Sequence, residues 1–332
     1  MKAQRLYQPA PIDTAPLVLS DIPRPDPRRG QLLVQVRACG VCHTDLHVVE
    51  GELSDPTLPI IPGHEIVGVV AAVGEGVTRF QVGDRVGIPW LHEACGVCEF
   101  CRRGQENLCD NALFTGYTAD GGYAEYTTVS QDFAVSIPDG FSDVEAAPLL
   151  CAGIVGFRSI RLADLQPKER LGIYGFGASG HIVIQVARHW GCEVFVFTRS
   201  AEHRELARSM GASWTGQAED QPPGMLDRAI IFAPAGWLVP LALGHLRKGG
   251  TLCINAIHTS PIPEMPYALL WHERTIRTVA NVTRQDAEEF MPLAAVIPIH
   301  TDTQLFSLDE ANHALQRLKH SSINGAAVLK MS

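Results

Sequence analysis

Cys95, Cys98, Cys101 and Cys109 stand in one short stretch at the spacing C-x2-C-x2-C-x7-C. No other feature limits this chain so tightly. Two-residue gaps let paired thiolates turn onto one ion, and four thiolates close a tetrahedral site with no position to spare. An iron–sulfur cluster is the rival reading. Its bacterial ligand run has a three-residue gap before the last cysteine and a proline after it. Here the gap is seven and Asp110 follows. Structural zinc is therefore the expectation, and a cluster of free buried thiols is the poorer alternative.

The chain has 332 residues, room for about two domains. Apolar content of 46% and charged content of 19% describe an ordinary globular protein. The net charge of −9 argues against a broad basic face, so nucleic acid is not an expected partner. No apolar run is expected to reach the roughly 20 residues that span a bilayer, and the first residues lack the apolar core of a signal peptide. A cytoplasmic location is expected, where cysteines stay reduced and metal ligation is a better default than disulfides.

Residues 1–152 are rich in Gly, Pro and short β-prone runs, with strands expected at 32–38, 65–73, 84–88 and 123–129. From 153 the texture changes. Strands at 171–174, 193–197, 226–232, 250–257 and 275–282 alternate with helical spacing at 178–190 and 201–210. That alternation predicts an α/β domain over 153–295, a doubly wound parallel sheet with helices on both faces. Residues 296–332, with a helix at 308–319 and a strand at 326–329, are expected to return to the first domain.

Gly175-Phe176-Gly177-Ala178-Ser179-Gly180 follows an expected strand and opens an expected helix, the context that a dinucleotide-binding G-x-G-x-x-G requires. Gly175 permits the tight turn, Gly177 lets the backbone approach a pyrophosphate, and Gly180 lets helix and strand pack closely. The end of the next strand selects the coenzyme. NAD enzymes carry Asp or Glu there for the ribose hydroxyls, but this chain reads Thr198-Arg199-Ser200. NADP(H) is expected over NAD(H): no carboxylate repels a 2′-phosphate, and Arg199 can bind one through paired hydrogen bonds.

A second group of ligand types is dispersed: Cys42, His64 and Cys151. Taken alone, Cys39-x2-Cys42 could be a redox pair or half a zinc site, and His64 an ordinary buried histidine. Together, Cys42-His43-Thr44-Asp45-Leu46-His47, Gly63-His64-Glu65 and Leu150-Cys151-Ala152-Gly153 resemble the zinc-ligand motifs of medium-chain alcohol dehydrogenases. The cysteine lobe and the glycine turn fall in that family's order, and the resemblance covers essentially the whole chain. It is greatest to microbial zinc alcohol dehydrogenases and their cinnamyl-alcohol-dehydrogenase-like relatives.

The resemblance implies a GroES-like catalytic domain and a Rossmann domain. It also implies two zinc ions per chain, an NAD(P)-dependent conversion of primary alcohols and aldehydes, and assembly as a homodimer or homotetramer. Cys42, His64 and Cys151 would hold the catalytic zinc, the ligand set known for such enzymes. Asp45 would orient His64, and Glu65 would lie behind the metal. Thr44 would contact the substrate oxygen, and His47 would end a proton relay. Trp90 would be a bulky pocket residue. Two rivals are a zinc polyol dehydrogenase, disfavoured by Cys151 and the four-cysteine lobe, and a non-catalytic zinc- and nucleotide-binding redox sensor.

Overall fold

The computed structural model describes residues 1–332 except His258, Asn324 and Ser332. It divides into two compact units, residues 1–151 with 281–332, and residues 152–280.

The second unit contains, among the described residues, a six-stranded sheet that is parallel throughout. Its order is Trp214–Gly216, Glu193–Phe197, Arg170–Tyr174, Leu226–Ile231, Leu246–Ile254 and Thr275–Thr278. In chain order this is 3-2-1-4-5-6, the doubly wound arrangement whose switch point lies between the first and fourth strands. Val194 through Phe197 are all buried, as a strand covered on both faces requires. Helices Ala152–Ala163, Leu238–His245 and, in the other unit, Arg284–Val296 were not expected from the sequence. Each contains a residue that weakens the helical signal: Gly153 and Gly156, Pro240, and Pro292. Gly156 has a packing reason, since a Cβ there would meet Val183 at 2.9 Å.

The first unit is built on the long strand Gln31–Val41. The sheet order is Thr303–Ser307, Ala326–Lys330, Gln31–Val41, Glu65–Val73, Arg85–Ile88 and Val135–Ser136, with Tyr126–Ser130 also paired to Gln31–Val41. Leu32, Val34, Ile66, Val70, Val86, Ile88 and Val129 form its core, joined by Ala311, Ala314 and Leu315 of helix Ala311–Lys319. The strand expected from 123 begins instead at Tyr126, because Tyr123 turns inward.

The expected return to the first unit at 296 is corrected to 281. Thr283 caps helix Arg284–Val296 through a capping box with Asp286, and Phe290 and Met291 are fully buried. Arg284 donates to Glu106 through its backbone N (2.9 Å) and its Nε (3.1 Å), which anchors this helix beside the cysteine lobe. The expectation that no run is long and apolar enough to cross a membrane is corrected too. The helical stretch Asp143–Ala163 meets that test by length and composition, but 72% of it is buried inside the protein, as core helices are.

Arg284→Ala should lower stability by about 2 kcal/mol, below the 3–5 kcal/mol typical of splitting a fully buried pair, because Arg284 is partly exposed. The urea midpoint should fall with little change in slope. An unchanged midpoint would show that the Arg284 side chain does not help anchor the helix, leaving only the backbone N–H contact with Glu106.

Candidate active site

Helix His43–Glu50 begins at Cys42, and its capping residue does more than cap. Asp45 reaches back so that its Oδ2 accepts the backbone N–H of Cys42 at 2.9 Å. Its Oδ1 accepts the Nδ1 proton of His64 at 2.7 Å and the N–H of Gly63 at 3.2 Å. His64 lies at the start of strand Glu65–Val73, after a turn in which Gly63 takes a φ of +98°. Cys151 sits between the turn Ala147–Leu150 and helix Ala152–Ala163.

These elements bring ligand atoms of Cys42, His64, Glu65 and Cys151 within 4.8 Å of one another. The two sulfurs are 3.9 Å apart. A hydrogen bond from Cys151 holds Cys42 well below the usual thiol range and pushes Cys151 well above it. Burial opposes protonation of His64, but the Asp45 carboxylate and then Cys42 together outweigh it and raise the imidazole well above its ordinary value. With Nδ1 committed to Asp45, Nε2 is the ring atom left to face a metal. Burial raises Glu65 well above the carboxylate range. The Glu65 carboxyl occupies the place a side chain at Gly40 would need: a Cβ there would lie 1.7 Å from Oε2. Two thiols and an imidazole, with a carboxyl close by, suit zinc, which takes the place of their protons on binding.

Thr44 is buried, its Oγ1 3.8 Å from the Cys42 sulfur. His47, on the next turn of the helix, pairs with Glu52 through Nδ1 and is partly exposed. Trp90 meets the His64 ring edge-on at 5.0 Å and stacks on Phe114 and Tyr117. Cys39 is buried against Gly63 and Gly122, outside the cluster.

Cys95, Cys98, Cys101 and Cys109 form a separate group, also within 4.8 Å of one another. Hydrogen bonds from the backbone, first from Val97, draw Cys95 down to about 6. Burial and then the Cys98 thiol push Cys101 up to about 12. Four sulfurs so placed can close a tetrahedral metal site and leave no position for a substrate.

In the other unit, Gly175 has a φ of +91°, which turns the chain out of strand Arg170–Tyr174. A Cβ at Gly177 would meet nothing within 4 Å, so open space lies at the start of helix Ala178–His189 where a phosphate would approach. A Cβ at Gly180 would lie 3.1 Å from the Gly175 carbonyl, which marks the close helix–strand approach. Thr198 hydrogen-bonds Gly216 through its backbone, and the Arg199 side chain is exposed. Ser200 caps helix Ala201–Ser209 by accepting the His203 N–H, and its own hydroxyl proton stays available to a ligand. Arg204 braces this turn by donating to the carbonyls of Thr198 (2.7 Å) and Arg199 (2.9 Å).

Residues 28–139 match the alcohol dehydrogenase GroES-like domain, and residues 178–296 the zinc-binding dehydrogenase family. The "Probable alcohol dehydrogenase AdhA" of Mycobacterium tuberculosis is 50% identical, over 99% of this chain and 97% of that one. An alcohol dehydrogenase of Geobacillus stearothermophilus is 38% identical, over 95% and 96%. A cinnamyl alcohol dehydrogenase of Sorghum bicolor superposes with a TM-score of 0.90 at 28% identity, covering 99% of this chain and 97% of that one. The chain belongs to the zinc-dependent medium-chain alcohol dehydrogenases. It is an NAD(P)-dependent oxidoreductase that joins a GroES-like domain to a Rossmann domain.

Sequence reasoning missed Glu52, Arg204, and the contact of the Tyr123 hydroxyl with Asp45. Glu52 stands five residues from His47, near enough to have been suspected. Tyr123 and Asp45 are 78 residues apart, and no spacing rule links them.

Proposed function

We propose that this enzyme interconverts primary alcohols and their aldehydes. It would use NADP(H) in preference to NAD(H) and hold two zinc ions per chain, one catalytic and one structural. The observation that carries the reading is the convergence of Cys42, His64 and Cys151, with Asp45 fixing the imidazole. Cys95, Cys98, Cys101 and Cys109 would take the structural ion. A bound zinc supplies a Lewis acid for the substrate oxygen, and a bound nicotinamide accepts or returns the hydride.

The chain's own residues bind, orient and move protons. Thr44, beside Cys42, would accept the alcohol proton. His47 would carry it toward solvent, its tautomer set by Glu52. Glu65 lies within reach of the three ligands and supplies a carboxyl behind them. The methyl of Thr44 and the Trp90 wall favour a flat, unbranched carbon at the reacting position, aromatic aldehydes included. Gly175, Gly177 and Gly180 would seat the pyrophosphate. Thr198, Arg199 and Ser200 would seat the 2′-phosphate, a preference supported by the exposed guanidinium of Arg199 and the free hydroxyl proton of Ser200. Assembly as a dimer or tetramer is supported by the edge strand Thr275–Thr278 and the exposed rings of Tyr267 and Trp271 near it in the chain. A reducing compartment, the cytoplasm, fits nine cysteines that are all free thiols.

Metal analysis should find two zinc ions per chain. Cys42→Ala should lose one ion and turnover but stay folded, whereas Cys101→Ala should lose the other and unfold more easily. One ion or none in fully active wild type would refute this assignment.

In a substrate screen, kcat/KM should be higher for aldehydes than for matched ketones. The reverse order would overturn the primary-alcohol reading. With coenzymes, kcat/KM should favour NADP(H). Arg199→Ala should weaken NADP(H) by roughly ten- to hundredfold, the worth of a charge-assisted hydrogen bond of about 1.5–3 kcal/mol, and spare NAD(H). Thr198→Asp should push the preference further toward NAD(H). A wild-type preference for NAD(H) would sink the coenzyme assignment.

A further inference from the structure

Tyr123 has no place in the family pattern described above, yet it is fully buried and its hydroxyl reaches the carboxylate that orients His64. Its hydroxyl donates to Asp45 Oδ2 at 3.3 Å. Burial and the Asp45 charge keep the phenol protonated far above its usual range, so it acts as a donor. Its ring packs closely against Gly63, in the turn before His64. A Cβ at Gly63 would meet Tyr123 Cδ1 at 2.3 Å, which only a glycine avoids. The segment is pinned at both ends of this contact. The Tyr123 N–H donates to the Pro62 carbonyl at 2.9 Å, and the Gly121 N–H to the Ile61 carbonyl at 2.7 Å. One side chain therefore touches both the carboxylate that receives the His64 proton and the backbone that carries His64.

Asp45 receives four donors: the N–H of Cys42 and the Tyr123 hydroxyl on Oδ2, and the N–H of Gly63 and Nδ1 of His64 on Oδ1. With Oδ2 occupied from two directions, the carboxylate cannot rotate to offer that oxygen to His64. Oδ1 stays aimed at Nδ1, and His64 keeps Nε2 pointed at the thiols. Outer partners of this kind set ligand orientation and metal affinity.

We propose that Tyr123 is a positioning residue of the catalytic zinc site, holding His64 in its ligating orientation through Asp45 and Gly63. The inference rests on the reading of Cys42, His64 and Cys151 as the catalytic ligand set. It extends the site by one layer, to a residue that touches neither metal nor substrate.

Its test is the rate of zinc release from holoenzyme to the chromophoric chelator 4-(2-pyridylazo)resorcinol. Wild type should release two ions in two phases, and Cys42→Ala should lack one of them. That comparison checks the ligand reading by itself: if Cys42→Ala keeps both phases, the ligand set is wrong and the proposal falls with it. Tyr123→Phe keeps the ring against Gly63 and removes only the hydroxyl. It should speed the Cys42-dependent phase about tenfold, the lower end of what loss of an outer partner costs a metal site. The phase from the four-cysteine lobe should not change. In an Asp45→Ala background, Tyr123→Phe should add nothing further, because the two act as one unit. An unchanged Cys42-dependent phase, equal acceleration of both phases, or the same acceleration in the Asp45→Ala background would each overturn the proposal.

Discussion

A buried carboxylate is costly to leave unpaired, and Asp45 is 1% exposed. It is satisfied by donors from three separate parts of the chain: the first turn of its own helix, the Gly63-His64 turn, and Tyr123. The rest of the candidate site depends on that charge. Without it, burial would lower the affinity of His64 for its Nδ1 proton, and the tautomer that exposes Nε2 would lose its anchor. Without it, too, Cys42 would lose the partner of its backbone N–H at the point where the helix begins. Helix capping and ligand orientation are thus one interaction.

The two cysteine groups respond to opposite environments. In the lobe, backbone N–H groups reach the sulfurs: Cys98 donates to the Cys95 sulfur at 3.4 Å and Cys101 to the Cys98 sulfur at 3.5 Å. Tight turns make such donors available, and at Cys95 they lead in favouring the thiolate, with the Cys109 and Cys98 thiols adding to them. At Cys42 and Cys151 the charge is managed by tertiary contacts, a thiol pair, an imidazole and two buried carboxyl groups. The first arrangement is contiguous in sequence and the second is assembled from strands and helix ends far apart. This difference fits the proposed division between a closed structural ion and an open reactive one.

The same difference explains what could be read before the structure. The lobe and the glycine turn are local patterns: the glycine turn lies at the expected strand–helix joint, and the four cysteines gather as expected, although Cys98 caps and Cys101 lies within a short helix, Glu99–Arg102, rather than a loop. The alternation from residue 170 onward carried the parallel sheet. Helices that hold Pro240 or Pro292, or that spend Gly153 and Gly156 on close packing, were hidden because residue propensity opposed what tertiary contact imposed. The return of the chain at 281 was hidden for a related reason: it is made by Arg284 meeting Glu106 across 178 residues. Likewise Cys42, His64 and Cys151 became a group only through resemblance, since no spacing rule joins them, and Tyr123 stayed outside it.

Gly40 and Glu65 face each other as cross-strand partners in the central sheet, and the carboxyl of one fills the space denied to the other. In hereditary terms they are one character written at two loci. A lineage that keeps an acid behind the ligands must keep a hydrogen atom for a side chain at the facing position. A lineage that gives up the acid is released only in part, because a Cβ at position 40 would still lie 2.9 Å from the Cβ of residue 65. The register of the strand pair thereby links drift in an unreactive sheet residue to the electrostatics of the candidate site.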